Sequence, residues 1–144
     1  MKKINIIFSL VLIFTLFSCK EDAKKYNNLY QRGKQEANIK LLQKGYEKAE
    51  PYFSKLCLFE LCNLLPKQKS VELAEKALKK YPDSQDVLEL LVSLLYEQRE
   101  YLEVISEIDE NSHIKQNNEL KRYYFSAKIK TSKSQKISWE SDFC

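Results

Sequence analysis

Residues 70–108, SVELAEKALKKYPDSQDVLELLVSLLYEQREYLEVISEI, decide how this chain folds. Apolar side chains recur there three and four positions apart. Val71, Ala74, Ala77, Leu78 and Tyr81 make one stripe, Leu88, Leu91, Val92 and Leu95 a second, and Tyr101, Val104, Ile105 and Ile108 a third. That spacing lines one face of an α-helix. Pro82 ends the first stripe, and Asp83 or Ser84 is suited to cap the second helix. The polar Gln98-Arg99-Glu100 separates the second stripe from the third. Three helices joined by short turns are predicted to fold back on one another as antiparallel hairpins.

The pattern continues outward in both directions. Tyr26, Tyr30, Gly33, Ala37 and Leu41 read as one helix. Tyr46, Ala49, Phe53 and Leu56 read as the next, with Gly45 as the stop between them and Pro51 near the first turn, where its missing donor costs little. Pro66 closes the stretch Leu58–Leu65. Beyond the polar linker 111–118, Leu120, Tyr123, Tyr124 and Ala127 mark a last helix. No β-branched alternating run interrupts the series, so the fold class is all-α. Periodicity leaves open whether the hairpins close into a bundle or stack as a solenoid.

Ala77-Leu78-Lys79-Lys80-Tyr81-Pro82, followed by Leu91, Leu95, Tyr101 and Val104, resembles the tetratricopeptide repeat. In that family a helix ends in Ala-Leu-x-x-x-Pro, and the next repeat carries Leu on its first helix and an aromatic before its second. Ile108 then falls where the family has an aromatic. A second echo is Gly45-Tyr46-Glu47-Lys48-Ala49, one residue short of the family's Gly-x-Tyr-x-x-Ala. Tyr46 and Tyr101 are not separated by a multiple of 34 residues, and Asn111 and Gln116 stand where the closing Ala and Pro belong. The resemblance implies a solenoid of about two to three degenerate repeats over residues 26–131. Such a short array needs dimerisation or docking on a partner to cover its ends.

The amino terminus carries an address. Met1-Lys2-Lys3 is a positive n-region, and Ile4–Phe17 is an apolar run broken by Asn5, Ser9 and Thr15. It would span about 21 Å as a helix, short of the roughly 30 Å hydrocarbon core, so it reads as a secretory signal rather than a membrane span. Leu16-Phe17-Ser18-Cys19 resembles the bacterial lipobox, with Phe17 bulkier than the family's usual small residue. The resemblance implies cleavage between Ser18 and Cys19 and lipidation of the Cys19 thiol. It also implies an extracytoplasmic, lipid-anchored body, the outer membrane being favoured because Lys20 stands where an acidic residue retains some members at the inner one. Residues 1–18 are then signal, 19–25 lipidated cysteine and tether, 26–131 the helical domain, and 132–144 a disordered tail.

Chemistry finds few footholds. Two glycines, Gly33 and Gly45, cannot write a phosphate loop, and one histidine, His113, cannot build a multi-histidine metal site. Cys57, Cys62 and Cys144 lack CxxC or zinc-ribbon spacing. On one helix Cys57 and Cys62 point about 140° apart, so they read as small core residues. A bridge between them across a helix break, or one using Cys144, stays open in an oxidising compartment. Without Lys2 and Lys3, 22 basic residues face 20 acidic ones, too even for a nucleic-acid footprint. No catalytic residue, cofactor or metal is expected.

Charge is segregated instead. Nine acids accompany Arg99 over residues 83–110, and seven bases accompany Glu119 over residues 115–136. In tetratricopeptide proteins the first helix of a repeat lines a groove. The resemblance places Asp86, Glu89, Ser93, Tyr96 and Glu97 there, implying a basic or amphipathic protein partner. The expected function is therefore non-catalytic protein–protein interaction at the cell envelope. A rival is a structural or surface-exposed, antigen-like lipoprotein with a closed bundle. A sharper variant is an accessory to outer-membrane protein assembly, although known accessories of that kind are about twice as long.

Overall fold

The computed structural model describes the backbone of residues 22–141 and the side chains of residues 22–132. Every regular element among them is helical, as expected. In chain order they are α1 (residues 22–35), α2 (Ile39–Lys48), α3 (Pro51–Leu64), α4 (Lys67–Lys80), α5 (Gln85–Glu97), α6 (Tyr101–Glu110) and α7 (Asn118–Ser141). The chain divides into two compact units between Leu64 and Leu65.

In the first unit, α2 packs on α3, and α1 reaches both. The expected stripe 26–41 is not one helix. Ala37 stands in the left-handed region at φ 47°, and the chain turns there. The Asn38 N–H donates to the Gly33 carbonyl at 2.8 Å and the Ala37 N–H to that of Lys34 at 3.3 Å, the paired bonds of a Schellman ending. Asn38 then caps α2, its side-chain oxygen accepting from the Leu41 N–H at 3.2 Å.

Gly45 is likewise not a stop. It is buried inside α2, and a Cβ built on it would lie 2.5 Å from the Cys57 Sγ of α3. Close helix approach explains the glycine, a role indistinguishable from termination in a bare sequence. The helix ends three residues later, and Pro51 opens α3 at the position where a missing N–H costs nothing. The stripe expected to run from Tyr46 to Leu56 is thus shared by two helices. Ser54, fully buried, ties them by donating to the Tyr46 carbonyl at 2.6 Å.

In the second unit α5 packs against α4, α6 and α7, and α6 also packs on α7. Most of the stripes read from residues 70–108 form its core: Val71, Ala74, Ala77 and Leu78 from α4, Leu88, Leu91, Val92 and Leu95 from α5, Val104 and Ile108 from α6, joined by Val87, which the stripes did not include, while Tyr81, Tyr101 and Ile105 are only partly buried. Leu120 and Ala127 join them from α7. Each fully buried Leu or Val contributes about 1.5–3 kcal/mol relative to exposure. Ser84, one of the two expected caps, stands at the N-cap position of α5, but its side chain makes no capping hydrogen bond there. Arg99 repeats the ending seen at Ala37, with φ 66° and the Glu100 and Arg99 N–H groups donating to the Leu95 and Tyr96 carbonyls at 3.1 and 3.0 Å.

Two further features were not anticipated. Helix α5 starts 34 residues after α3, at Gln85 against Pro51, and α6 starts 34 after α4, at Tyr101 against Lys67. Helix α7 continues to Ser141, ten residues past the expected domain end and through most of the tail read as disordered. No Gly or Pro follows Pro82, so nothing in the backbone chemistry stops that helix.

Candidate functional site

The five residues assigned to a groove lie on α5 but do not share one environment. Asp86 and Glu97 are exposed, and Glu97 lies 3.6 Å from the Lys67 ammonium in a solvent-screened pair. Ser93 donates to the Leu90 carbonyl at 2.8 Å, within its own helix. Glu89 and Tyr96 are engaged from outside α5. The Asn117 amide, just before α7, donates to Glu89 Oε2 at 2.7 Å while its carbonyl oxygen caps the helix at the Leu120 N–H. The Tyr96 hydroxyl meets Ser126 Oγ of α7 at 2.5 Å. Its ring packs against those of Tyr101 and Tyr123 at centroid distances of 5.3 and 5.2 Å. Helix α7 therefore occupies part of the face that sequence reasoning left open, a contact 30 residues away with no local signature.

The residues assigned to the repeat framework gather in the second unit. Ala77, Leu91, Leu95 and Val104 are buried in its core, Tyr101 borders the Tyr96 ring, and Pro82 follows α4 in an exposed turn. Ser18 and Cys19, with the whole signal segment, lie outside the described residues, as does Cys144. No helix among the described residues is long and apolar enough to cross a membrane.

A site that the sequence reading missed opens on the side of α5 that faces α4 and α6. It is a cavity of about 350 Å³ with Leu78, Pro82 and Leu91 as apolar lining and Glu75, Lys79, Glu107, Glu110 and Asn111 as polar lining. Burial, then the Glu110 and Glu75 carboxylates, push the Glu107 carboxyl above its ordinary value, and Lys79 only partly offsets this. Asn111 donates to the Glu107 carbonyl at 2.8 Å and lies 3.4 Å from its carboxylate, while Ser106 donates to Glu110 at 2.8 Å. Glu107 and Glu110 were visible in the sequence as part of an acidic stretch. Glu75 lies outside that stretch and arrives only through tertiary placement of α4.

The remaining ionisable candidates are structural. Cys57 and Cys62 are buried thiols outside any disulfide on one unbroken helix, and burial pushes both up to about 11, with Glu60 adding to the shift at Cys57. A thiol so protonated is a poor nucleophile at neutral pH. His113, largely exposed, rests its Nε2 3.3 Å from the Pro82 carbonyl and 3.7 Å from Asp83. Among the described residues no group of three or more His, Cys, Asp or Glu is placed to hold a metal ion. Comparison with protein-family models, with curated proteins and with solved structures gives no match to this chain.

Proposed function

We propose that this chain is a lipid-anchored cell-envelope protein whose tetratricopeptide-like helices hold a protein partner without catalysing a reaction. The observation that carries the repeat reading is the 34-residue spacing of helix starts together with burial at matching offsets. Ser54, Cys57, Leu58 and Leu61 on α3 correspond to Leu88, Leu91, Val92 and Leu95 on α5, and all eight are buried. Ser70 and Ala74 on α4 correspond in the same way to Val104 and Ile108 on α6. Two successive segments thus bury matching positions, α3 within the first unit and α4, α5 and α6 within the second, and this match supports the repeat reading. The 34-residue period is the tetratricopeptide length.

The anchor rests on Leu16-Phe17-Ser18-Cys19. Two or more acyl chains hold a protein on a bilayer stably, whereas one does so marginally. A short polar tether would then present the helical body to the envelope space. The acidic character of α5 and α6 favours a basic or amphipathic partner, steered by charge.

One observation favours the rival, a closed-bundle surface lipoprotein. Helix α7 engages Glu89 and Tyr96, leaving Asp86 and Glu97 at the rim of the expected groove.

Two measurements test these readings, the first their shared anchor and the second the difference between them. Metabolic labelling with palmitate should mark the wild-type chain and not Cys19→Ser, which should also leave the membrane fraction. Retained labelling in the variant would remove the anchor. Crosslinking in envelope extract at low and moderate salt should capture a specific partner in a salt-sensitive way, and Asp86→Lys with Glu97→Lys should reduce the capture at least about tenfold. A chain that captures nothing at either salt would support the rival.

A further inference from the structure

Helix α7 carries a surface that its own unit leaves uncovered. Its inner face buries Leu120 and Ala127, while Phe125 and Ile129 stand 61% and 57% exposed. These two residues are one helical turn apart, and Lys121 and Lys128 lie on the same face at the spacing i, i+4, i+7, i+8. Neither lysine is ion-paired among the described residues, although the Lys128 ammonium lies over the Tyr124 ring at 4.3 Å. The result is an apolar stripe bordered by cations, the pattern of a helix that lies in a groove.

A groove of opposite sign lies in the same unit. The cavity between α4 and α6 has an apolar floor of Leu78 and Leu91 and a rim of three carboxylates against Lys79 alone. Glu107 is half-buried there beside Glu75 and Glu110, with no cation at ion-pair distance among the described residues. Glu75 and Glu110 are exposed and Glu107 half-buried, so like charges crowd one rim to which a cation would be attracted. The stripe offers in one helix face the complement of that cavity: two ammonium groups for its carboxylates and two apolar side chains for its floor.

We propose that two copies of this chain associate, the Lys121–Phe125–Lys128–Ile129 face of each α7 seated on the Glu75–Glu107–Glu110 cavity of the other. A two-fold arrangement makes both contacts at once and closes, so the assembly stops at a dimer rather than growing as a filament. Confinement to a membrane surface would raise the effective concentration of the copies and favour it. The proposal is independent of the α5 rim and of any client.

The test is a pair of charge reversals in the full chain, expressed in two differently tagged forms and solubilised in mild detergent. One form carries Glu107→Lys and Glu110→Lys, the other Lys121→Glu and Lys128→Glu. Wild-type copies should co-purify and show energy transfer between labels. Each reversed form alone should self-associate about tenfold more weakly or less, because like charges now meet. Mixing the two should restore association, since cavity and stripe are complementary again in both directions. Phe125→Ser, at an exposed position, should weaken association while circular dichroism stays that of the wild type. Wild-type copies that remain monomeric, or a mixture that fails to associate while both forms keep native helicity, would overturn the proposal. It would equally be overturned if the stripe reversal abolished binding to vesicles containing phosphatidylglycerol while leaving copy–copy transfer intact, which would make a lipid surface the occupant.

Discussion

The two units solve the same problem with opposite means. Both join successive helices with a three-residue connection that puts a non-glycine residue, Ala37 or Arg99, in the left-handed region. Both then bury a helical face. The first unit does so by bringing backbones close, with Gly33 against Leu42 and Gly45 against Cys57. Around that approach it places polar ties: Ser54 to the Tyr46 carbonyl, and Lys34 to Glu60 at 2.6 Å, with the Tyr30 hydroxyl 3.5 Å from the same carboxylate. The Glu60 carboxylate, then the Tyr30 hydroxyl, raise Lys34 above its usual value, on a side chain open to solvent. The second unit has no glycine, packs its leucines and valines with the small Ala74, Ala77 and Ala127, and clusters the rings of Tyr96, Tyr101 and Tyr123. The first unit is therefore sensitive to atoms added at its two glycines, while both units lose stability when a buried leucine is cut back.

The largest effect should come from removal. Leu91→Ala takes a 1%-exposed side chain from the centre of α5 and should cost about 2–5 kcal/mol in chemical denaturation. A cost below about 1 kcal/mol would mean that the second unit is not packed around α5. Addition should come next. Gly45→Ala drives a methyl into the Cys57 Sγ and should cost about 1–3 kcal/mol despite the better helix propensity of alanine. Adding Cys57→Ala to it should recover much of that loss, because the next atom of Cys57 is 3.6 Å away. A double mutant no more stable than Gly45→Ala would break the close-approach explanation.

The sequence disclosed the second unit better than the first for a physical reason. In residues 70–108 each helix end coincides with a local breaker or polar cluster, so Leu88 through Leu95 could be placed on a buried face without tertiary knowledge. In the first unit the turn falls at Ala37, which has no breaker chemistry, while Gly45 carries the breaker signal but sits inside a helix. Of the residues assigned to a groove, Asp86 and Glu97 are exposed, whereas Glu89 and Tyr96 are engaged by Asn117 and Ser126, 28 and 30 residues further along the chain. The acidic cavity escaped because it takes Glu75 from one helix and Glu107 from another.

Smaller effects sharpen the comparison. Arg99→Gly and Ala37→Gly should each stabilise by about 1 kcal/mol or less, since glycine removes the steric cost of positive φ at both matched turns. Destabilisation at one site alone would show that the two turns are not equivalent. Glu107→Gln gives a pH signature restricted to the second unit. The folded-state pKa is raised, so ionisation opposes folding, and stability is lost as pH rises from the ordinary value of 4.5 through the raised one. The substitution should therefore stabilise at pH 7, and its advantage should vanish below pH 4.5. An advantage independent of pH would point to packing instead.

The central proposal is that residues 51–84, which span the boundary between the two compact units, and residues 85–118 are successive copies of one repeat. Duplicating residues 85–118 in tandem, so that the chain carries one unit more, tests it most directly by thermal unfolding followed by circular dichroism. A repeat array accepts a further unit, so helicity per residue should be retained and the midpoint should hold or rise in a cooperative transition. A closed bundle has no place for two more helices, and loss of cooperativity with a lowered midpoint would contradict the repeat.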